Sequence, residues 1–269
     1  MSAEGDGDPD MSEFVCAKVE IQETAATIGA EREYISHAVD AIKAARLEIE
    51  RQIRKDRFFL TTLEPYAAEE SSGRVIRRMI VASRVAGVGP MATVAGTIAQ
   101  EALEAMETAG CAHCWVDNGG DIALRLEEPA TLEVFSEPGS ASAFALELER
   151  TERHIGVCTS SGRLGHSISF GNADAVVIMA EDAVLADAFA TAVANRVSTA
   201  DDLKTCFDGL REVRGIIGGL AMYEGSVATF GHIPRLIEVE HREDRLTVHT
   251  KMASGRFLGA RRQRSEVGT

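Results

Sequence analysis

Between residues 31 and 55 apolar side chains recur at helical spacing: Ile35, Ala38, Val39, Ile42, Ala45, Ile49 and Ile53, with charged residues between them. Such a stripe predicts an amphipathic helix laid on a sheet. Phe58-Phe59-Leu60 and a turn at Pro65 follow, then a polar loop through Gly73. Residues 75–86 read as a strand or extended segment that enters the turn Gly87-Val88-Gly89-Pro90. A second helix is expected over 91–108, with Val94, Ala95, Ile98, Ala102, Leu103 and Met106 on one face and Gly110 as its stop. Short strands are expected over 112–116, 122–126, 132–135, 144–148 and 154–158. The nearly continuous apolar run 173–179 predicts a central strand covered on both faces. Helices over 182–195 and 199–210 come next, and then β-rich sequence around 213–220, 226–230, 236–239 and 246–249.

Helices and strands thus alternate without the regular period of a doubly wound sheet, which predicts an α+β layered architecture. The ends differ from the body. Residues 1–13 form an acidic tail expected to be disordered, 14–254 a single domain, and 255–269 a basic flexible tail carrying Arg256, Arg261, Arg262 and Arg264.

At 269 residues the chain is long enough to bury a real core. Its 28 Lys+Arg against 42 Asp+Glu give a formal charge of −14. That balance argues against nucleic acid or an anionic membrane as the main partner, since both demand a basic footprint. A small phosphorylated ligand stays open, provided positive charge is supplied locally. The five cysteines are an odd number spread over the chain, which is no disulfide framework. No charged segment followed by an apolar one opens the sequence as a secretory signal would. The longest apolar tract, 173–194, is broken by Asp174, Glu181, Asp182 and Asp187, so no membrane span is expected. The expectation is a reduced, cytoplasmic protein. Cys111-Ala112-His113-Cys114 has the spacing of a redox or zinc motif, yet a zinc site needs four ligands and no second pair is present. Alternation along a strand over 112–116 would put the two thiols on opposite faces, which favours two ordinary cysteines.

The sharpest chemical signal is the helix 182–195. After Leu185 it is apolar, with five alanines, except for Asp187, Thr191 and Asn195. Those three fall at i, i+4 and i+8 and make one polar stripe on an otherwise buried helix. A buried carboxylate must be paired, hydrogen-bonded or metal-bound. Asp187 with Thr191 offers hard oxygens that suit Mg²⁺; alternatively, Asp187 caps N–H groups of a neighbouring loop in a structural network. A second signal is the loop 159–172, where Thr159, Ser160, Ser161, Gly162, Arg163 and His166 combine hydroxyls, glycine, a cation and an acid/base group. Such a loop can hold a phosphate, although many loops of that composition hold nothing. Asp117-Asn118-Gly119-Gly120-Asp121 is a hairpin signal that is also compatible with ligand contact. Gly87 to Thr93 leads into a helix N-terminus, a place that can hold an anion.

In order along the chain, these segments resemble the ApbE family of FAD-dependent flavin transferases. The resemblance is carried by Gly87 to Gly110, Trp115-Val-Asp-Asn-Gly-Gly-Asp-Ile, Cys158-Thr-Ser-Ser-Gly162 with His166, and Ala186-Asp187-Ala-Phe-Ala-Thr191. A closer similarity is to uncharacterised protein family 0280, through Val88-Gly-Pro-Met-Ala, Asn118-Gly-Gly-Asp, Thr159-Ser-Ser-Gly with Gly165-His-Ser, and Ala186-Asp-Ala with Thr191 and Asn195. The resemblance implies an ApbE-like layered fold with mixed or antiparallel sheets packed against helices. It also implies Mg²⁺ on Asp187 and Thr191 with a backbone carbonyl near Ala92, and FAD or FMN against Asn118, Gly119, Gly120 and residues 159–163. His166 would be the catalytic group, and the FMN acceptor a protein hydroxyl, or water in a pyrophosphatase. The chain departs from the ApbE pattern at Met91-Ala-Thr-Val, where the family has a lysine, and at His166-Ser-Ile-Ser-Phe, which lacks an acid and a proline. Those losses keep a non-catalytic flavin or small-ligand binder, and a purely structural or partner-binding role, open beside the enzyme. The oligomeric state is open as well.

Overall fold

A computed structural model describes residues 13–67, 72–136, 142–160, 171–240 and 248–250. The expected tail at 255–269, and all of the one at 1–13 except Glu13, lie outside the described residues. The chain starts with a hairpin for which the apolar pattern gave no expectation: β1 (Phe14–Ile21) and β2 (Thr24–Glu31), turned through Gln22 at φ 53°. Strand β2 carries a single large apolar side chain, Ile28, among Thr, Ala and Gly, so its strand character is hidden in small residues. The smallness has a use, because Gly29 lies opposite Trp115 and a Cβ there would enter the indole.

Helix α1 (Ile35–Lys55) buries Ala38, Ile42, Ala45 and Ile49 as its stripe predicts. After the single turn α2 (Phe58–Thr61) comes α3 (Arg74–Ala86), a helix where a strand or extended segment was expected. Its buried residues Val75, Ile76, Met79, Ile80, Ser83 and Ala86 follow the helical period, with Arg77 and Arg84 on the solvent side. The β-branched residues at its start suggest a strand, but the spacing decides. A 3-10 turn over Pro90–Thr93 then leads into α4 (Val94–Ala109), which Gly110 stops at φ 111°.

The remaining strands are β3 (Cys114–Asn118), β4 (Asp121–Arg125), β5 (Ala130–Ser136), β6 (Ser142–Leu148), β7 (Ile155–Ser160), β8 (Ala175–Ala180), β9 (Ile216–Tyr223), β10 (Ser226–Gly231), β11 (Arg235–Glu240) and β12 (Val248–Thr250). Helix α5 (Ala183–Ala194) follows β8. The helix expected over 199–210 is instead two short 3-10 turns, Ala200–Lys204 and Leu210–Glu212. A capping box between Thr199 and Asp202 starts the first, and Gly209 at φ 82° precedes the second.

Eight strands form one sheet in the order β1-β2-β3-β4-β7-β8-β9-β10, and four form another in the order β11-β6-β5-β12. Every pairing among the described strands is antiparallel, which narrows the expected mixed or antiparallel sheets to the second kind. Three layers result. One face of the large sheet packs on α1, α3, α4 and α5, and the other packs on the small sheet. Strand β8 shows why its sequence is continuously apolar: Val176, Ile178 and Ala180 enter the helical core, while Ala175, Val177 and Met179 enter the inter-sheet core. Among the described residues no single helix is long and apolar enough to cross a membrane; α3 and the 90–109 segment pass only as a pair bent by 104°.

Helix α5 approaches the sheet closely because Gly156 on β7 has no side chain. A Cβ there would strike the backbone of Asp182 and Ala183, which has no flexible end to yield. Gly156→Ala is therefore expected to destabilise the fold by about 1–3 kcal/mol through overpacking. Urea titration should show a lowered midpoint with an unchanged slope.

Candidate functional site

The site begins where α4 and α5 cross. Gly96 permits the crossing, since a Cβ there would enter the Ala183 carbonyl and the Asp187 side chain. The first N–H groups of α4 have no partner within their own helix. Thr93, at the N-cap position, does not supply one; its hydroxyl donates to the Pro90 carbonyl at 2.8 Å. The acceptor comes from α5 instead. Asp187 Oδ2 accepts from the Gly96 N–H at 2.8 Å, and the carboxyl also bonds the Ala95 N–H. Helix α4 returns the contact, for Gln100 Oε1 accepts from the Ala183 N–H at 2.9 Å, beside the Asp182 N-cap bond to the Leu185 N–H at 2.8 Å. Asp187 thus accepts N–H groups at a helix N-terminus rather than at a loop.

The second part is the β3–β4 hairpin. Gly119 and Gly120 form its tip with φ of 72° and 97°, the left-handed pair that a tight two-residue turn demands. Asp117 Oδ1 accepts from the Gly120 N–H at 2.8 Å and closes the turn. Asn118 Nδ2 donates to the Ala95 carbonyl at 3.1 Å and ties the hairpin to the start of α4. The end of β7 joins through the Thr159 N–H, which donates to the Gly120 carbonyl at 3.1 Å. Asn118, Gly119, Gly120, Thr159, Ser160 and Asp187 are therefore brought to one place by α4, α5, β3, β4 and β7. Thr191 lies one turn along α5 from Asp187, and each is 7 % exposed. Ala92 sits in the 3-10 turn that precedes α4 and packs on α5, while the direct backbone partners of Asp187 are Ala95 and Gly96. Asn195 caps the C-terminus of α5, its N–H donating to the Thr191 carbonyl at 3.0 Å. Ser161, Gly162, Arg163 and His166 lie outside the described residues.

A residue left out of the sequence-based site also belongs here. Asp121, the first residue of β4, is buried opposite Cys158 of β7. Its Oδ1 has no hydrogen-bond partner among the described residues, and neither has the buried Ser160 Oγ. Burial pushes the Asp121 carboxyl well above the usual carboxylate range; the charges of Asp187 and Asp117 push the same way, and contact with the Cys158 thiol offsets them in part. Burial raises Asp187 to about 7, even though the Gly96 and Ala95 N–H groups favour its ionised form. The Cys158 thiol, which donates to the Ala183 carbonyl at 3.3 Å, is also held up by burial and by both acids. The signal for Asp121 was an acid directly after Gly-Gly on an apolar strand, which reads as a turn residue until β4 is seen to be buried.

Buried acids whose electrostatic neighbours are other acids retain protons or take up a cation. Asp187, Thr191, a backbone carbonyl and the unpartnered Asp121 oxygen are hard oxygen donors, the set that Mg²⁺ accepts. The residues fit that ion only if water or a ligand completes its shell, because among the described residues no three His, Cys, Asp or Glu side chains form a metal-holding group.

The cysteines at 111 and 114 do not lie on opposite faces. Cys111 precedes the strand, which starts only at Cys114, so alternation does not apply; both are buried in the core on the helical side of the sheet, and the Cys111 thiol donates to the His113 carbonyl at 3.5 Å.

Residues 11–205 match the family model described as AbpE bacteria. The chain is 41 % identical to a UPF0280 protein of Methanocella arvoryzae over 231 residues, 86 % of this chain and 94 % of that one. It is 39 % identical to a UPF0280 protein of Archaeoglobus fulgidus over 235 residues, covering 86 % and 97 %. In fold it is similar to the ApbE protein of Thermotoga maritima, with a TM-score of 0.55 at 14 % identity, covering 83 % of this chain and 97 % of the other. A flavin transferase ApbE from Vibrio cholerae gives 0.53 at 12 %, covering 81 % and 96 %.

The raised carboxyl has a measurable consequence. Asp187 binds its proton more tightly folded than unfolded, its ordinary value of 3.8 rising to about 7. The stability it confers is fully present below about pH 4 and is lost as pH rises to about 7, because the unfolded chain ionises first. Urea midpoints of the cation-free protein, held in chelator, are expected to fall across that window. Asp187→Asn should flatten the fall.

Proposed function

As this chain belongs to the family described as AbpE bacteria, we propose that it is a Mg²⁺-dependent enzyme acting on the pyrophosphate of a flavin nucleotide. FAD is the donor, and FMN passes to an acceptor-protein hydroxyl or, in hydrolysis, to water. The observation that carries this reading is the gathering of two buried carboxyls, Asp187 and Asp121, beside a glycine hairpin and the N-terminus of α4. The structures of like fold include proteins titled flavin transferases, which supports the choice of flavin. Free thiols at all five cysteines support a cytoplasmic setting.

Asp187, Thr191 and the Ala92 carbonyl would hold Mg²⁺, which when bound offsets the charge on the phosphates. Gly119 and Gly120 let a phosphate approach the backbone closely, as no side chain stands in front of it. The Thr159 and Ser160 hydroxyls donate to the ligand; Ser160 Oγ, buried without a partner among the described residues, is the better poised. Asn118, through its bond to the Ala95 carbonyl, fixes the hairpin against α4. Arg163 adds the local cation that an acidic chain needs. In transfer the acceptor oxygen attacks the FMN phosphorus, the bond to the AMP phosphate breaks, and His166 takes the hydroxyl proton while AMP departs.

A second reading, a flavin-binding protein without catalysis, draws on the absent lysine at Met91-Ala-Thr-Val. The two are separated by incubating the protein with FAD, Mg²⁺ and an acceptor extract and following AMP by chromatography. AMP release is expected, with loss in chelator and a drop of roughly 100-fold or more for Asp187→Asn. Saturable, metal-dependent FAD binding without AMP would establish the binder; no AMP and no binding would sink both.

A further inference from the structure

We propose that β10 is the seat of a reversible homodimer: it pairs with the β10 of a second copy of this chain, antiparallel about a twofold axis, and joins the two large sheets into one. Strand β10 ends the large sheet, with β9 on one side and no strand on the other among the described residues. The hairpin between the two strands fixes which backbone groups face outward. Its loop is Glu224-Gly225, with φ of 46° and 75°, and Tyr223 and Ser226 are the closing partners. In such a two-residue turn the closing pair exchanges both hydrogen bonds, and bonded pairs then alternate along the ladder. Ser226, Ala228 and Phe230 therefore bond β9, whereas Val227 and Thr229 turn their N–H and C=O groups away from it. The same alternation is visible on β9. The Ile217 carbonyl accepts from the His232 N–H at 2.9 Å on the β10 side, and the Met222 carbonyl accepts from the Asp174 N–H at 2.9 Å on the β8 side.

An edge that must stay single is guarded by charge, proline or shortness. Strand β1 carries Lys18 and Glu20, β11 carries Arg235, Glu238 and Glu240, and β12 is three residues long. Strand β10, Ser226-Val-Ala-Thr-Phe-Gly231, has neither charge nor proline, and its Val227 is 47 % exposed. A twofold axis at Ala228 brings Val227 of each copy opposite Thr229 of the other, so that their outward N–H and C=O groups bond across the interface. The facing side chains suit one another. Ala228 meets its own copy at the close, non-bonded pair; two β-branched residues meet at each bonded pair; and Ser226 leaves room for Phe230. No wall of like charge opposes the approach. Beside the strand lies a cavity of about 590 Å³ whose lining sets Lys204 and Arg211 against Asp208 and Glu212. A foreign segment would have to match this edge in sequence, whereas a second copy brings the matching strand with it. A strand of six residues makes a small contact, so the dimer is expected to be reversible and not obligate.

The test reads sedimentation velocity of the full-length chain over a wide concentration range, together with amide hydrogen exchange at Val227 and Thr229. The expected result is a monomer–dimer equilibrium, with exchange at those amides fast in dilute protein and slowed as the dimer forms. Thr229→Pro removes an amide that β9 does not use, so the monomer should keep its urea midpoint. One bond of each exchanging pair is lost in the dimer, and self-association should weaken roughly tenfold or more. Val227→Lys, which places a charge at an exposed edge position, should weaken it as well and decides the matter if the proline variant does not fold. A monomer at every concentration would overturn the proposal. Fast exchange at the two amides would then leave the edge to a foreign segment, and slow exchange would assign it to the chain's own remaining residues. A dimer that both variants leave intact would overturn it too, since another surface would hold the copies together.

Discussion

The Asp187 carboxyl at the N-terminus of α4 is the contact on which the remaining architecture turns. Two helices cannot approach closely enough for a side chain of one to cap the other unless the surfaces between them are small. Gly96 on α4 and the alanines of α5 meet that condition, as Gly156 does on the sheet side. Once so close, each helix satisfies the other's backbone: Asp187 for Gly96, Gln100 for Ala183. The interaction is thus forced by packing and in turn fixes the packing. The hairpin then attaches to the same turn of α4 through Asn118. A displaced α5 would withdraw the cap, and the place where hairpin, helix and β7 meet would lose its common reference.

Charge gives the site its chemical bias. The chain is acidic overall, and the buried ionic network near α4 consumes the cations it contains. Arg78 bonds Glu101 at 2.9 Å and Glu104 at 2.7 Å, which sets the Glu104 carboxyl below its usual range despite burial. Asp121 and Asp187 stand in the opposite condition, with burial raising both. A phosphate arriving there finds repulsion unless protons or a cation intervene. This difference between two groups of acids, one neutralised by arginine and the other not, marks the second as a place for an exchangeable partner.

Much of this was legible in the sequence because it is periodic. The polar stripe Asp187–Thr191–Asn195 can be read from spacing alone, and so can the doubly covered β8 and the buried face of α1. What was not legible depends on contacts between distant segments. The strand β2 is made of residues too small to show alternation, and its smallness is explained only by Trp115 on the neighbouring strand. In α3 the β-branched composition masked a helical period. The segment 199–210 has helix-like composition, yet Gly209 breaks it and a local capping box satisfies its start with a single 3-10 turn. Asp121 looks like a turn residue, since its burial comes from β7 and α5. The two cysteines were separated by a rule for strands that does not hold at a helix end.

The cap and the proposed cation site need not compete for Asp187. A carboxylate presents about four lone-pair directions, and two backbone N–H groups take only half of them. The cap fixes the rotamer, so the remaining directions point one way without further loss of side-chain entropy when a ligand arrives. The same cap has an opposing effect, because the partial positive charge of the α4 N-terminus already compensates the anion and weakens its pull on a second cation. Thr191 is neutral and adds little charge. A hard divalent ion held by one partly compensated carboxylate, a hydroxyl and a carbonyl is held weakly, and its affinity rises when phosphate oxygens join the shell. On the proposed reading, a cation that arrives with the nucleotide would therefore be favoured over one that resides in the empty protein. That order of assembly suits a reaction whose substrate is a pyrophosphate.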